Sequence, residues 1–538
     1  MTGRQPGQRI AFRPQAGDEW WRGAVIYQIY PRSFLDSNGD GIGDLPGITA
    51  RLEHIADLGA DAVWISPIFR SPMADMGYDV SDHCDVDPLF GTLEDFDTLI
   101  ARAHDLGLRV ILDQVLSHSS DQHPWFLDSR RGGAHANWYI WADARPDGSP
   151  PNNWQSVFGG SAWQWDAGRR QYYMHNFLAA QPDMNLHEPQ VQEALLGAVR
   201  FWLERGVDGF RLDTVNYYFH DQALTDNPPA RPVPGLRWPP VVPYDMQRHL
   251  HDKTRPENLA FLERLRALAD AYGACLMGEV GETEGRALKI MGDYTAGNRR
   301  LHMAYSFDML SPLCTPAHFR DTMAAFFAAA PDGWPAWSFS NHDVPRHVSR
   351  WAAMGAPEAV ARQAIGLLVS LPGTIGIYQG EELGLPEAEL AYSDLTDPVG
   401  LRFWPDDKGR DGARTPMPWD AAQLHGGFST AKPWLPVTPP HLARAVSTQG
   451  PDGTLTAYRT ALAFRRARPE LRLGSFEALD LPDPVLGFRR DGLTCLFNLS
   501  AGTVTLDWPD APVAQGPAQG WHWLDGQLRL DPNACLWC

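Results

Sequence analysis

Hydrophobic and polar positions repeat one unit three times, an amphipathic helix that ends at glycine and leads directly into an apolar strand. The three copies are LEHIADLGADAVWISPIF, FDTLIARAHDLGLRVILDQV and VRFWLERGVDGFRLDTV. In the second copy Thr92 can cap the helix, apolar residues recur at three- and four-residue spacing, and Gly107 suits a left-handed position after the helix. Strands that are apolar on both faces must be covered by helices, which is typical of a parallel sheet.

Five more segments have the composition of buried strands and bring the expected number to eight. They read AVIYQIYPRSF, ACLMGEV, MAYSFDML, WSFSNHD and TIGIYQGEE. Eight units of strand and helix predict a (β/α)8 barrel of the TIM type, with a doubly wound open sheet as the alternative.

Two regions interrupt the repeat. Residues 117–185 are rich in Trp, Pro, Gly and Asp, show no helical period, and are expected to form an inserted loop-rich domain after the third strand. Residues 471–538 alternate short apolar strands with turn residues, which predicts a C-terminal antiparallel β domain. The barrel is therefore expected to occupy residues 1–116 and 186–470, with a loop-rich excursion after the eighth strand.

The charge of the chain excludes some classes of partner. Among 538 residues, 46 Lys and Arg stand against 65 Asp and Glu, a formal net charge of −19. Nucleic acids and anionic membranes are bound through Lys and Arg, so neither is an expected partner. The chain has no apolar run long enough for a membrane span and no N-terminal run resembling a signal peptide. We therefore expect a cytoplasmic monomer or homodimer, with free thiols, that binds a neutral small molecule.

The stretch DSNGDGIGD places oxygen-bearing side chains on alternate residues. Asp36, Asn38 and Asp40, followed by glycine, match the first half of an EF-hand calcium loop. The second half is missing, because position twelve, where an EF-hand has Glu, is Gly47. A bound cation and a turn of unliganded carboxylates capped by glycines both remain possible at this point.

Four of the predicted strands end in carboxylates. In a barrel of this type the carboxyl ends of the strands form the active-site face. A charged group at the end of a buried strand is costly to desolvate, so it is either part of an ion pair or functional. Four carboxylates that converge on one face favour function. The candidate residues at these strand ends are Asp113, His118, Arg211, Asp213, Glu279, His342 and Asp343.

Nine motifs follow one another along nearly the whole chain: DSNGDGIGD, GYDVSDH, DQVLSH, QPDMN, GFRLDTVN, GEV, SNHD, YQGEELG and RDGARTPMPW. Together they resemble the α-amylase-type glycoside hydrolases of family 13, in the α-glucosidase and oligo-1,6-glucosidase branch. The resemblance implies a retaining, exo-acting α-glucosidase for maltose and short α-glucosides, with glucosyl transfer to alcohol or sugar acceptors. A dedicated transglucosidase, an oligo-1,6-glucosidase and a sucrose- or trehalose-active enzyme are the alternatives within the family.

The resemblance also implies the roles of three carboxyls. Asp213 matches the nucleophile, Glu279 the acid/base, and Asp343 a third carboxylate that binds sugar hydroxyls. Arg211, two residues before Asp213 on the same strand face, is expected to hold Asp213 ionised, whereas Glu279 must be protonated at rest. An inactive relative that serves as a binding or transport subunit is the alternative from another class, and it would usually lack one of these three carboxyls.

The family's glucose pocket implies a further set of substrate contacts. An Asp and Arg pair at its end would stop a polymer from threading through, and the sequence leaves open which arginine this is. Thr214 follows the nucleophile, where relatives that cut α-1,6 bonds tend to carry Val, so we predict a preference for α-1,4 bonds. The implied contacts are Tyr78, Asp79, His118, Phe177, Arg211, Thr214, His342, and Arg410 or Arg414.

For the acidic loop the resemblance implies a structural cation, Ca²⁺ or Mg²⁺, that takes no part in bond cleavage. No organic cofactor is implied. The implied ligands are Asp36, Asn38, Asp40, the carbonyl of Ile42, and Asp44.

Overall fold

The structure is a computed structural model that describes residues 10–13, 17, 19–232, 237–282 and 285–538. Eight parallel strands form its central sheet. Their order across the sheet is sixth, fifth, fourth, third, second, first, eighth and seventh. A parallel bridge between Ala304 and Pro335 joins the sixth strand to the start of the seventh, so the sheet is nearly closed and the barrel prediction is confirmed. The strands are Val25–Ile29, Ala62–Ile65, Arg109–Gln114, Gly209–Leu212, Cys275–Val280, Met303–Ser306, Ala336–Ser338 and Thr374–Tyr378.

Helices cover the outside of the barrel and begin and end where local sequence chemistry predicts. The Thr92 side chain accepts the N–H of Asp95, and the Asp95 side chain accepts the N–H of Thr92, which completes a capping box. Gly107 follows that helix at φ +76°, which glycine adopts without strain. The longer helices are Leu45–Leu58, Leu93–Asp105, Pro189–Glu204, Asn258–Ala271, Ala287–Thr295, Pro316–Ala329, Pro357–Ser370 and Thr454–Arg466. The shorter ones are Pro124–Arg130, His347–Arg350, Pro398–Phe403, Pro439–Leu442 and Pro469–Leu473.

The inserted region after the third strand contains a small antiparallel sheet of three strands, Trp141–Ala142, Gln171–Met174 and Trp163–Asp166. The prediction that this region lacks helix is wrong for Pro124–Arg130. The ring of His123 accepts the N–H of Trp125 and caps this helix, and proline occupies its first position. Seven residues are too few for an apolar repeat to be recognised in the sequence. A strand pair, Phe69–Arg70 with Asp82–Val86, lies just before the insertion.

The C-terminal region forms an antiparallel sheet, as expected. Its strands are Phe476–Ala478, Val485–Arg490, Leu493–Asn498, Val504–Asp507, Gln515–Leu524 and Gln527–Trp537. A two-residue strand near the other end of the chain, Ala11–Phe12, pairs with Glu477 and Phe476. The sequence assigned these two residues to the barrel, and this assignment is wrong because so short a strand carries no alternating pattern. In the described part of the chain we find no helix with the length and apolar character to cross a membrane.

Candidate active site

A cavity of about 260 Å³ lies beside the carboxyl ends of the barrel strands. Asp213 directly follows the fourth strand and Glu279 is the penultimate residue of the fifth, so both side chains come from rigid elements of the barrel. Of the residues implied by sequence, those that line the cavity are Tyr78, His118, Phe177, Asp213, Thr214, Glu279, His342, Asp343 and Arg410. Those that do not line it are Asp79, Asp113, Arg211 and Arg414.

Arg211 lies behind the cavity and joins three carboxyls. Its Nη1 is 2.7 Å from Asp113 Oδ1 and 2.6 Å from Asp213 Oδ1, and its Nη2 is 2.8 Å from Glu279 Oε1. The guanidinium is fully buried, and the carboxylates compensate for the loss of its hydration. Because Arg211 contacts both Asp213 and Glu279, it does not by itself decide which of them is ionised.

Burial controls the protonation of the two carboxyls that face the cavity. It raises the pKa of Asp213 to about 7, because the charges of Asp113 and Asp343 add to desolvation and outweigh Arg211. Burial also raises the pKa of Glu279 to about 7, with the charges of Asp213 and Asp343 acting in the same direction. Since two neighbouring anions repel, ionisation of one carboxyl holds the proton on the other. The site can therefore contain one carboxylate and one carboxylic acid near neutral pH.

Asp343 has the opposite environment. Its Oδ1 lies 3.3 Å from Arg410 Nη1 and 3.2 Å from Arg414 Nη2, and its Oδ2 lies 3.3 Å from His342 Nε2. Burial raises the pKa of Asp343, but His342 and the two guanidinium groups lower it by more. The net pKa of Asp343 is therefore below its usual range. Asp343 is therefore an anion, suited to accept hydrogen bonds from hydroxyl groups.

Two buried histidines stand beside these carboxyls in neutral form, because burial lowers the pKa of His118 and of His342 to about 3. Gln28 Nε2 lies 2.8 Å from His342 Nδ1, and His342 Nε2 lies 2.6 Å from Tyr78 Oη. The Tyr78 hydroxyl donates to Asp113 Oδ2 at 3.0 Å, so His342 Nε2 carries the proton in this network. The Tyr78 and His342 rings are stacked, 5.4 Å between centroids, which makes Tyr78 a rigid apolar wall.

The carboxylate at the cavity end is Asp75, and the sequence-based choice of Asp79 is wrong in position. Asp79 is fully buried, and its oxygens accept the N–H groups of Ala74 and Asp75 and the hydroxyl of Ser71. It shapes the turn that presents Asp75 to the cavity. Both acids occur within five residues of each other, and only the turn decides which one faces the substrate space.

Arg410 is the arginine at the cavity end. Its Nη2 lies 2.8 Å from Asp75 Oδ1 and 2.6 Å from Asp397 Oδ1, and the guanidinium is 5.3 Å from the centre of the Phe158 ring. Arg414 is fully buried, and its Nε donates to the carbonyl of His342. The structure therefore assigns the cavity end to Arg410 and a supporting position behind Asp343 to Arg414.

Thr214 contacts both carboxyls that face the cavity. Its N–H donates to Glu279 Oε2 at 2.9 Å, and its hydroxyl lies 3.3 Å from Asp213 Oδ2 and 3.0 Å from Ser117 Oγ. Thr214 adopts φ +41° and ψ +48°, a left-handed conformation that is uncommon for a β-branched residue. Such strained conformations are concentrated at functional sites, where the surrounding structure maintains them.

The acidic loop lies outside the cavity lining and is held by its own hydrogen bonds. Asp36 accepts the N–H groups of three loop residues and the hydroxyl of Ser429, so all of its roughly four acceptor positions are used. Asn38 and Asp40 each accept one backbone N–H from two residues ahead and keep free lone pairs. Asp44 accepts the N–H of Gly47 and both the N–H and the hydroxyl of Ser37, so most of its acceptor positions are used. Within the described ranges, no three Asp, Glu, His or Cys side chains form a group that could hold a metal ion. The oxygen donors are of the right type for Ca²⁺, but binding through Asp36 would require Ser429 to turn away.

Comparison with known proteins finds one family and several close relatives. The family profile for alpha amylase, catalytic domain, matches residues 28–474. A "Probable alpha-glucosidase" from Rhizobium meliloti (strain 1021) is 59% identical over 506 residues, which is 91% of either chain. An "Oligo-1,6-glucosidase" from Heyndrickxia coagulans is 35% identical over 537 residues, 91% of this chain and 94% of the relative. Among solved structures, the alpha-glucosyl transfer enzyme XgtA is 52% identical, with a TM-score of 0.92 over 97% of this chain and 99% of that one.

Proposed function

Since the chain belongs to the alpha-amylase family of glycoside hydrolases, we propose that it is an exo-acting α-glucosidase that releases glucose from maltose and short α-glucosides with retention of configuration. One observation carries this proposal. The Asp75–Arg410 ion pair closes the end of a small cavity that contains Asp213, Glu279 and Asp343. A cavity of about 260 Å³ lies just below the usual range for small-molecule pockets, which is roughly 300–1,000 Å³.

In the first step Asp213 attacks the anomeric carbon and Glu279 donates its proton to the departing glycosidic oxygen. The bond from carbon to that oxygen breaks, and an ester between glucose and Asp213 forms. When Asp213 is the anion, burial and the charge of Asp213 favour the proton on Glu279 near neutral pH. Arg211, at 2.6 Å from Asp213 and 2.8 Å from Glu279, stabilises whichever of the two carboxyls carries the negative charge in each step.

In the second step Glu279, now a carboxylate, takes a proton from water or an alcohol. The acceptor oxygen attacks the anomeric carbon, and the bond to Asp213 breaks, which restores both carboxyls. The Asp343 anion and the neutral rings of His118 and His342 are placed to bind sugar hydroxyls throughout. The negative charge of Asp343 also favours the positive charge that develops on the ring in each transition state.

The closed end makes the enzyme exo-acting. Arg410 is held by Asp75, Asp343 and Asp397, all within 3.3 Å, so the wall does not open by a simple side-chain rotation. A sugar bound against this wall must be a chain terminus, and the leaving group must extend toward Glu279. Maltotriose labelled at its reducing end should therefore yield unlabelled glucose and labelled maltose, whereas labelled glucose as the first product would exclude this orientation.

Retention and the nucleophile are tested together. During early hydrolysis of maltose, proton NMR should show new glucose as the α anomer, and β-glucose as the first product would exclude the mechanism. Asp213→Ala should abolish turnover and keep the fold, because its side chain lines the cavity. Asp105→Ala, at the exposed end of a barrel helix, is the matched control and should keep full activity.

We propose further that the enzyme prefers α-1,4 over α-1,6 linkages through Thr214. The Thr214 hydroxyl stands between Asp213 and Ser117, beside the place where the glucose unit meets the leaving group. Val would keep the shape and remove this hydroxyl, so the substitution isolates the hydrogen bond.

Glucosyl transfer to alcohols or sugars is the second activity we propose. The solved structure with 52% identity is described as an alpha-glucosyl transfer enzyme, and the glucosyl ester at Asp213 can react with any acceptor that reaches it. A rise of glucoside at the expense of glucose, when glycerol is added to maltose, would support this activity. Glucose release without any glucoside would exclude it.

A structural cation in the acidic loop also remains a proposal. Asn38 and Asp40 keep lone pairs for it, whereas Asp44 could bind it fully only if Ser37 turned away, and the carbonyl of Ile42 is a further oxygen implied by sequence. When bound, the ion would stabilise the loop after the first barrel strand and would not contact the substrate. Chelation should therefore lower thermal stability and leave the kcat of the folded enzyme unchanged.

A further inference from the structure

A buried lysine lies directly behind the cavity wall on the Glu279 side. Lys253 is 1% exposed, and its Nζ donates to Tyr217 Oη at 3.0 Å and to the Gly281 carbonyl at 2.9 Å. Nζ also lies 3.7 Å from Glu282 Oε1. Tyr217 and Gly281 line the cavity, whereas Lys253 does not.

Tyr217 and Gly281 form one continuous wall, which we call the acceptor wall. Gly281 comes two residues after Glu279, and a Cβ added to Gly281 would lie 3.4 Å from Tyr217 Cε2, so the Tyr217 ring lies directly beside the Gly281 backbone. The Phe177 ring lies 5.4 Å from the Tyr217 ring and extends the wall. Because Glu279 exchanges its proton with the leaving group and with the acceptor, both groups must bind on this side of the cavity.

Lys253 joins the segments that follow the fourth and fifth barrel strands. Asn216 makes a similar link, since its side chain accepts the N–H of Gly281 at 3.1 Å and donates to the Gly281 carbonyl at 3.0 Å. Tyr244 adds a third contact, with its hydroxyl 2.8 Å from Tyr217 Oη. The Lys253 ammonium lies 4.6 Å from the centre of the Tyr217 ring and 5.3 Å from that of Tyr244, which are favourable cation–π distances.

The ammonium keeps its charge in this environment. Burial disfavours the charged form, but Tyr217, Glu282 and Asp252 outweigh burial and raise the pKa of Lys253. An ammonium has three N–H donors and can bond several acceptors at once, so Lys253 ties the Tyr217 hydroxyl to the Gly281 carbonyl. A neutral side chain of the same length could fill the space but could not provide these bonds.

We propose that Lys253 is a positioning residue that holds the acceptor wall in place and thereby controls how the glucosyl group divides between alcohol and water. This inference rests on the proposed α-glucosidase function. Water needs little more than Glu279 and a path to the anomeric carbon, whereas an alcohol must also be oriented by the wall. Loosening Tyr217 and Gly281 therefore penalises transfer more than hydrolysis.

The test compares Lys253→Met with Lys408→Met, an exposed lysine paired with Glu389. Each enzyme receives α-glucosyl fluoride with glycerol as acceptor, and the ratio of glucosyl glycerol to glucose is measured. Fluoride is a small leaving group that hardly reaches the acceptor wall. In Lys253→Met we expect the transfer ratio to fall roughly tenfold, with a much smaller fall in kcat/KM for the fluoride. Lys408→Met should change neither quantity.

Tyr217→Phe is a second test of the proposal, because it removes the hydroxyl that contacts Lys253 and keeps the ring. If Lys253 acts through Tyr217, the double variant should lose no more transfer than the stronger single variant, within about twofold. An unchanged ratio in Lys253→Met, an equal loss of transfer and of kcat/KM, or additive losses in the double variant would each overturn the inference. Failure of the wild type to release glucose from maltose would instead overturn the proposed function.

Discussion

Replacing Arg211 by Met removes the buried cation that joins three carboxyls and leaves the space filled. Three carboxyl oxygens, from Asp113, Asp213 and Glu279, lie 2.6 to 2.8 Å from this guanidinium. Without it, these groups must either remain as uncompensated anions or take up protons. We therefore expect loss of activity and a loss of stability that depends on pH.

The size of the stability loss follows from burial. Removing one partner of a fully buried ion pair costs about 3–5 kcal/mol. For a chain of 538 residues the unfolding entropy at the melting temperature is about 1.1 kcal/mol/K, so this cost lowers Tm by roughly 3–4 °C. The full decrease in Tm applies at pH values where the three carboxyls are ionised in the wild type.

The sign of the pH dependence is set by protons bound in the folded state. Burial raises the pKa of Asp113 to about 6 and the pKa of Asp213 and Glu279 to about 7, above the unfolded values of about 4. The folded protein binds more protons than the unfolded chain in this window, so wild-type stability falls as pH rises through it. Loss of the Arg211 cation raises these three pKa values further, so the stability of the variant continues to fall up to a higher pH than that of the wild type. The Tm gap between wild type and variant should be small at about pH 5 and full at about pH 8.

Arg465→Met is the matched control for this experiment. Arg465 is equally buried, but its guanidinium donates to backbone carbonyls, and the pKa of Arg465, lowered to about 9 chiefly by burial, leaves it charged at the pH values used. Its Tm gap should therefore be nearly constant between about pH 5 and about pH 8. Thermal melting of all three proteins at both pH values provides the data. A gap for Arg211→Met that stays constant, or that shrinks as pH rises, would refute the assignment of its carboxyl partners.

Three further predictions concern linkage, protonation and the acidic loop. Thr214→Val should raise the isomaltose-to-maltose ratio of kcat/KM about tenfold, and an unchanged ratio, or a wild type that already prefers isomaltose, would contradict the role given to Thr214. The kcat/KM for maltose should fall as pH rises above about 7, because Glu279 then loses its proton. A pH profile that keeps rising above about 7 would exclude Glu279 as the acid. Glu279→Gln should lower kcat on maltose by at least about a hundredfold. Chelator should lower the wild-type Tm by about 2–3 °C and leave Asp40→Asn unaffected, whereas no shift in the wild type would exclude a tightly bound structural cation.

The barrel could be predicted because its elements are encoded locally. Residues 93–105 carry the helical repeat, Thr92 and Gly107 mark its limits, and apolar runs mark the eight strands. The carboxyls at the strand ends could also be found, because Asp213 and Glu279 follow directly from the positions of their strands. The order of elements along the chain is enough to bring these residues to one face of the barrel.

The rest of the site depends on contacts between distant segments. Asp75 and Asp79 belong to one short turn, and only its folded path shows that Asp79 caps backbone N–H groups while Asp75 meets Arg410. Arg410 and Arg414 are four residues apart, and their neighbours decide which one reaches the cavity. No local pattern distinguishes them, because the loop that carries them has no regular period.

Protonation and long-range support were decided by tertiary structure alone. The sequence suggested that Arg211 keeps Asp213 ionised, but the fold places Glu279 against the same guanidinium and buries all three groups, so the pKa of both carboxyls rises. Lys253 has no motif around it, and its contacts with Tyr217 and Gly281 exist because two loops meet behind the cavity. Periodicity and capping act over a few residues and can be found in the sequence. Desolvation and charge coupling depend on every group that the fold brings near, and they could be assigned only from the packed structure.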